Sequence, residues 1–255
     1  DVLPIRADIK SIVNNSKNIA SISGAGISTD SKILDFRSNH GLYSTTPEEF
    51  MSRNFFFKKP KQFYDFLEKN LYHPQALPNE GHNIISKLEN EGRILQVITQ
   101  NIDGLHSAAG SKNVIEFHGT IKTATCCNPK CRKVYPIEEI LNKKQVTNDF
   151  YLCDCGKSST KRYIKPDIVL FGEQGYWMAK KRFVNLLKKS READLLLVLG
   201  TSLSVYPFNR IVSDRKPNTP VIIINKGTTP FDNEPNVYVI NQGISESLAE
   251  LFPNL

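Results

Sequence analysis

Seven short runs of Ile, Val and Leu punctuate the chain, each closing on small or polar residues: NIASISGAGIS, ILQVITQNID, NVIEFHG, PDIVLFGE, DLLLVLGTS, PVIIINKG and NVYVINQG. Apolar runs without polar alternation suit strands covered on both faces of a parallel sheet. Amphipathic stretches lie between them. PNEGHNIISKLENEG spaces Ile84, Ile85 and Leu88 helically and stops at Gly92. MAKKRFVNLLKKSREA sets Phe183, Leu186 and Leu187 on one side and its basic residues on the other. This alternation predicts an α/β fold, an open, Rossmann-like, doubly wound parallel sheet. Two segments break the rhythm and read as insertions: an aromatic-rich helical stretch containing NFFFKKPKQFYDFL, and a later stretch carrying every cysteine.

At 255 residues, 40% apolar and 23% charged, the chain can bury a full core as one large domain or one domain with a small insert. It lacks the run of about eighteen apolar residues that a membrane-spanning helix needs. The net charge of +7 would suit an anionic cofactor or acidic partners, but the basic residues are spread along the chain, as on a solvated surface. Five cysteines confined between Cys126 and Cys155 are too few for a disulfide scaffold. They point to metal binding in a reducing compartment, the cytoplasm or, in a eukaryote, the nucleus.

In open α/β sheets, ligands sit outside the carboxyl ends of the strands. The runs end in Gly24-Ala25-Gly26, Gln100-Asn101-Ile102-Asp103, His118-Gly119, Gly200-Thr201-Ser202 and Asn225-Lys226-Gly227. Glycines allow close approach to phosphates, and hydroxyls and amides suit ribose, so the set suits a dinucleotide. GAGIST alone lacks the third glycine of the dinucleotide fingerprint, and Gly24 and Gly26 would equally serve a tight strand-to-helix turn. Asp103 can accept from the NH2 of a nicotinamide carboxamide, while Gln100 and Asn101 bond ribose hydroxyls or a water. Alternatively, Asn101 or Asp103 caps a helix at GLHSAAG. His118 closes the NVIEF run, which His40, His73, His82 and His106 do not, and a neutral imidazole there is suited to take a proton near pH 7.

The cysteines read TCCNPKCRKVY and YLCDCGKS. Cys126 and Cys131 flank an Asn-Pro turn, and the Cys153/Cys155 pair ends on Gly156, so both loops can aim thiolates at one ion. Four soft ligands imply a tetrahedral Zn2+ with no open position, hence a structural site. Cys127 is the spare, and Cys127 with Cys131 is the competing choice; buried free thiols are the alternative to any metal.

GAGISTDSKILDFRS, TQNIDGLH, EFHGT, the cysteine pairs, KPDIVLFGE, LGTSLSV and INK fall in the order seen in the sirtuin family. The chain resembles the bacterial-like NAD-dependent protein deacylases of that silent-information-regulator type along nearly its whole length. The resemblance implies a Rossmann-type NAD-binding domain (1–39, 83–119 and 165–255) and a small domain made of a helical module (40–82) and a zinc-binding module (120–164). NAD+ and an acyl-lysine peptide or protein would enter the cleft between them from opposite sides. Gly24, Ala25, Gly26 and Thr29 would then contact phosphates and ribose, with Phe36 and Arg37 on a loop over the cofactor. Gln100, Asn101, Ile102 and Asp103 would hold ribose and nicotinamide. Gly200, Thr201, Ser202 and Asn225 would take the phosphate and adenosine end, with Gly243 near the adenine. His118 would be the general base, Cys126, Cys131, Cys153 and Cys155 the zinc ligands, and Val169, Phe171, Gly172 and Glu173 the strand that pairs with the substrate backbone. Leu34 replaces a usual proline and Lys32 a usual glycine, and the cysteine spacings are irregular.

The reaction so implied is deacetylation. The acyl oxygen attacks the nicotinamide ribose carbon as nicotinamide leaves, and His118 deprotonates a ribose hydroxyl that attacks the resulting imidate. NAD+ is consumed, and the products are free lysine, nicotinamide and O-acetyl-ADP-ribose. A protein ADP-ribosyltransferase is the rival on the same fold. An NAD-dependent dehydrogenase would release no nicotinamide, and a zinc-ribbon nucleic-acid binder would leave the polar strand ends unexplained, so neither nucleic-acid nor membrane binding is expected. Family members that prefer succinyl-lysine carry a Tyr-x-x-Arg pair; here Tyr64 is followed by Leu67 in the arginine's place. Phe63, Phe66 and Leu67 would form an apolar wall suited to acetyl or longer uncharged acyl groups, because a buried acyl carboxylate there would be unpaired.

Overall fold

The computed structural model describes residues 3–34, 47–156, 160–173 and 180–255. Among these run the strands β1 (Ile19–Ser23), β2 (Ile94–Thr99), β3 (Val114–Glu116), β4 (Gly119–Cys126), β5 (Val134–Pro136), β6 (Ile164–Ile168), β7 (Leu195–Leu199), β8 (Val221–Ile224) and β9 (Val237–Ile240). One sheet has the order β3-β2-β1-β7-β8-β9, with every pairing parallel. From β1 the chain winds outward to β2 and β3, then returns to β7 and winds the other way. The switch point, where a crevice must open, therefore lies between the carboxyl ends of β1 and β7.

Among the same residues run the α-helices α1 (Ala7–Asn14), α2 (Pro47–Phe50), α3 (Arg53–Lys58), α4 (Pro60–Asn70), α5 (Glu80–Asn90), α6 (Leu105–Ala108), α7 (Ile137–Lys144), α8 (Lys180–Ser190), α9 (Arg210–Ser213) and α10 (Ile244–Leu251). Leu195, Leu197 and Leu199 pack on one face of the sheet with Ile9 and Val13 of α1, Ile84, Ile85 and Leu88 of α5, and Leu248 of α10. Leu196 and Val198 pack on the other face with Phe183, Leu186 and Leu187 of α8 and Ile211 of α9. Every residue of β7 is buried, which is why the run carries no polar alternation. No described helix is long and apolar enough to cross a membrane.

A second sheet, β5-β4-β6, is antiparallel. Its core joins Ile121, Ala124 and Ile164 to Phe56, Phe63, Tyr64 and Leu67 of α3 and α4 and to Ile137 and Ile140 of α7. Ser52 starts α3 by accepting from the Phe55 N–H (3.0 Å), and Pro60 opens α4, where its missing N–H costs nothing. Lys144 of α7 ion-pairs with Asp65 and Glu68 of α4 and so ties the cysteine-bearing segment to the aromatic one.

PDIVLFGE, expected as a strand of the parallel sheet, lies elsewhere. Ile164–Ile168 pairs antiparallel with β4, and its burial alternates because only one face is covered. Residues 169–173 continue past the strand, with a single parallel bridge from Phe171 to Ser52.

Candidate active site

The ends of β1 and β7 meet almost backbone to backbone. Gly24 N–H donates to the Leu199 carbonyl (3.0 Å) and Gly26 N–H to the Gly200 carbonyl (2.9 Å). A Cβ on Gly26 would lie 2.6 Å from the Gly200 Cα, and one on Gly24 2.7 Å from both the Thr201 Cβ and the Gln100 Oε1. These glycines are required by the close approach of the two strands, whatever ligand lies above them. The chain after Gly24 turns through a 3-10 segment, Ala25–Ser31, in which Thr29 Oγ1 donates to the Gly26 carbonyl (3.0 Å).

The end of β2 packs beside this turn. Asn101 Nδ2 donates to the Gly24 carbonyl (3.0 Å) and to Ser28 Oγ (3.3 Å). Ser28 Oγ donates in turn to Asp103 Oδ2 (2.6 Å), and Asp103 Oδ1 accepts from the Leu105 N–H at the start of α6 (2.9 Å). Asp103 thus bonds the first N–H of α6 without being its N-cap, which is Gly104, and also faces the serine. Ile102 points the other way: it packs against the small core, and its carbonyl accepts from the Ile121 N–H (2.9 Å).

Two buried histidines lie behind this cluster, and the sequence analysis gave neither a role. His82 and His106 rings meet edge to face at 5.1 Å. Asn79 N–H donates to His82 Nδ1 (3.1 Å), so a neutral ring carries its proton on Nε2, which faces Ser28 Oγ at 3.4 Å. His106 Nε2 lies 2.9 Å from Ser23 Oγ, while its Nδ1 is buried without a partner among the described residues. Burial pushes His82 down to about 4, against an opposing pull from Asp103, and burial beside His82 pushes His106 down to about 3. Both are neutral at pH 7. The available signal was the Asn79-x-x-His82 spacing, the interval of a capping box.

His118 lies between β3 and β4. Phe117 is held by its N–H bond to the Thr99 carbonyl (2.8 Å), and the His118 ring stands edge to face with Phe117 at 5.3 Å. Gly119 follows at φ +86°, where a Cβ would collide with the Asp167 carbonyl, so this histidine's C-terminal neighbour must be glycine. Val169 N–H donates to the His118 carbonyl (2.9 Å), which sets the 169–173 segment beside the imidazole-bearing turn.

Thr201 is buried and accepts from the Leu203 N–H through Oγ1 (3.2 Å), whereas exposed Ser202 shares a 2.8 Å hydroxyl contact with Ser204. Asn225 Nδ2 donates to the Gly227 carbonyl (3.1 Å), and Gly243 precedes α10. Phe36 and Arg37 lie outside the described residues.

The four expected cysteines converge. Cys126, Cys131, Cys153 and Cys155 place their sulfurs within 4.8 Å of one another, with Cys126–Cys155 at 3.7 Å and Cys131–Cys153 at 3.8 Å. Asn128 donates to Cys126 Sγ through its N–H and to Cys155 Sγ through Nδ2 (both 3.4 Å), as residues around a thiolate-bound cation do. Cys127 stays outside the group. Cys126 is the last residue of β4 and its sulfur is in the group, whereas Cys127 follows the strand end and its sulfur is not. Four thiolates so placed are positioned to bind one tetrahedral Zn2+.

Tyr64, Phe63 and Leu67 are fully buried in the small core, with the Tyr64 hydroxyl donating to the Ile164 carbonyl (2.6 Å). Of the expected apolar wall, only Phe66 is half-exposed, and its ring stacks on Phe50 at 4.8 Å.

A sequence model described as the Sir2 family matches residues 24–207. The chain belongs to the Sir2 family. A curated NAD-dependent protein deacetylase of Clostridium tetani is 38% identical over 257 residues, covering 98% of each chain. One from Thermotoga maritima is 39% identical over 224 residues, covering 87% of each chain. Among solved Sir2 structures, one with a p53 peptide and NAD+ superposes with a TM-score of 0.81 at 34% identity and covers 97% of each chain. Another, bound to a propionylated peptide, gives 0.79 at 34% identity over 96% of each. These likenesses extend across both cores of the chain, so the sheet switch point and the cysteine-bearing module belong to one Sir2 architecture.

Proposed function

We infer that this Sir2 chain is an NAD+-dependent protein-lysine deacetylase, which transfers the acyl group of an acyl-lysine peptide to ADP-ribose and releases nicotinamide and free lysine. The observation that carries the reading is the polar cluster of Ser28, Asn101 and Asp103 at the switch-point crevice, next to the turn that presents His118. NAD+ fits that chemistry. Each Asp103 oxygen accepts one bond within the chain and keeps a lone pair, so the carboxylate can still accept from a carboxamide NH2.

In this reading Asp103 and Asn101 orient the nicotinamide end of the co-substrate, with Gln100 and Ile102 beside them. Gly24, Ala25, Gly26, Thr29, Gly200, Thr201, Ser202, Asn225 and Gly243 line the rest of its path along the strand ends; Phe36 and Arg37, which the family resemblance adds to this set, lie outside the described residues. His118 takes the proton from a ribose hydroxyl, the work for which a neutral imidazole is suited near pH 7. Val169, Phe171, Gly172 and Glu173 pair with the peptide backbone. The cysteine site carries no open position, so its zinc supplies rigidity to β4 rather than chemistry. A reducing cytoplasm is the compartment in which four such thiolates persist.

The test is incubation with NAD+ and an acetyl-lysine peptide, with products identified by mass spectrometry. Nicotinamide, O-acetyl-ADP-ribose and a peptide lighter by one acetyl group are expected. A peptide or protein gaining ADP-ribose would favour the transferase reading, and reduced nicotinamide would favour a dehydrogenase.

A further inference from the structure

Lys165 is the site's most committed cation outside the groups already described. Its side chain is only 15% exposed, and its ammonium makes three bonds: to the Pro166 carbonyl (3.0 Å), to the Ile168 carbonyl (2.9 Å) and to Glu173 Oε1 (3.0 Å). An ammonium has three protons, so this one is saturated. Glu173 is equally tied. Its Oε1 also accepts from the Leu170 N–H (3.0 Å), and its Oε2 meets Arg53 Nη1 at 3.4 Å. The backbone of the same turn is held from the side of α3: Phe171 N–H donates to the Met51 carbonyl and Arg53 N–H to the Phe171 carbonyl (both 2.9 Å).

Below the turn lies a cavity of about 620 Å3, lined among others by Val114, Gly119, Val169 and both members of the Lys165–Glu173 pair. Leu170 anchors the turn in the small core, but its other side, at Val169 and Glu173, borders this open space, and β6 has already ended at Ile168. On that side the turn is held by the Val169–His118 backbone bond at its start and by the charged tie at its end.

We propose that Lys165, acting through Glu173 and backed by Arg53, is a positioning residue that holds the 169–173 ledge at the height where a substrate backbone lies. It rests on the deacetylase reading above, which assigns that ledge to the peptide. Lys165 touches neither substrate nor co-substrate. The tie preorganises an edge, so its loss weakens substrates that lie along the ledge and spares those that do not. The effect appears in KM more than in kcat, because the interaction is made equally in ground and transition states.

The test compares Lys165→Met, Lys165→Arg and Glu173→Gln on two substrates, an acetylated decapeptide and N-acetyl-lysine amide, which has no flanking backbone. For Lys165→Met we expect KM for the decapeptide to rise about tenfold with kcat within about twofold, kcat/KM for the amide to hold, and Lys165→Arg to restore most of the loss. Glu173→Gln alters a residue of the ledge itself and should also raise KM for the decapeptide, and the double variant should lose no more than Glu173→Gln alone. Equal losses on both substrates, additive single losses, or no change on the decapeptide would each overturn the proposal. If a variant is unstable by thermal melt, the decapeptide-to-amide ratio at a temperature where it stays folded still decides. Wild-type protein that releases no nicotinamide from either substrate would instead count against the deacetylase reading itself.

Discussion

At the scale of single residues, the site divides into groups that do chemistry and groups that fix where chemistry happens. His118→Ala should lower deacetylation by roughly two to four orders of magnitude while NAD+ affinity, measured by calorimetry, is largely kept. Near-wild-type turnover in the folded variant would remove His118 from the mechanism. His82 and His106 make a different prediction. Burial holds both below the ordinary histidine value, so between about 6.5 and about 4 the unfolded chain takes up protons that the folded chain refuses. Their contribution to stability is complete above pH 6.5 and is lost as the pH falls, down to about 4 for His82 and on to about 3 for His106. The melting temperature should fall through that window, and His106→Gln should flatten the fall; a profile unchanged by the substitution would reject this account. Leu67 bears on acyl choice, because a side chain buried in the small core stands where the sequence pattern would need an arginine to hold a carboxylate. Acetyl-lysine should therefore exceed succinyl-lysine in kcat/KM on the same peptide, and the reverse order would send the search to another cation.

At the scale of elements, the strands of the parallel sheet were readable because both of their faces are covered, and unbroken Ile/Val/Leu runs have no other common use. PDIVLFGE misled for a physical reason. Its apolar run straddles the end of a half-covered strand and an exposed turn, and composition cannot mark where pairing stops; Phe171, within that run, is 49% exposed. The strand-end residues were legible as a set, since open sheets collect ligands there, whereas the spacing left Cys126 and Cys127 as competitors that only the convergence of the four sulfurs in space tells apart. The two buried histidines were not legible, because a histidine in an amphipathic segment looks like surface until its neighbours in space are known. Gly119 offers a test of how tightly one element holds the next. Gly119→Ala places a methyl against the Asp167 carbonyl at positive φ, and should cost about 2 kcal/mol or more in denaturant unfolding and depress turnover together. A stable, fully active variant would show that the β4–β6 junction is softer than its geometry implies.

At the scale of the whole molecule, the described residues form a six-stranded sheet with cores on both faces and a smaller antiparallel core that the cysteines close. Metal removal should act on the last alone. Chelation of the holoprotein, or Cys131→Ser, should release about one Zn2+ and strip amide protection from β4, β5 and β6 while β1, β7 and β8 stay protected. Cys127→Ser should be mild. Equal damage from the two substitutions would reassign the ligands, and metal analysis without zinc would remove the site. β4 gives this a practical edge. Its eight residues run from Gly119, next to His118, to Cys126, roughly 26 Å at about 3.3 Å per residue. One strand is thus both the footing of the imidazole and a wall of the thiolate cage. A compound screen scored on turnover would rank electrophiles and chelators that dismantle the cage alongside molecules that occupy the crevice, and only a counter-assay for released zinc would tell a poison of the scaffold from an inhibitor of the enzyme.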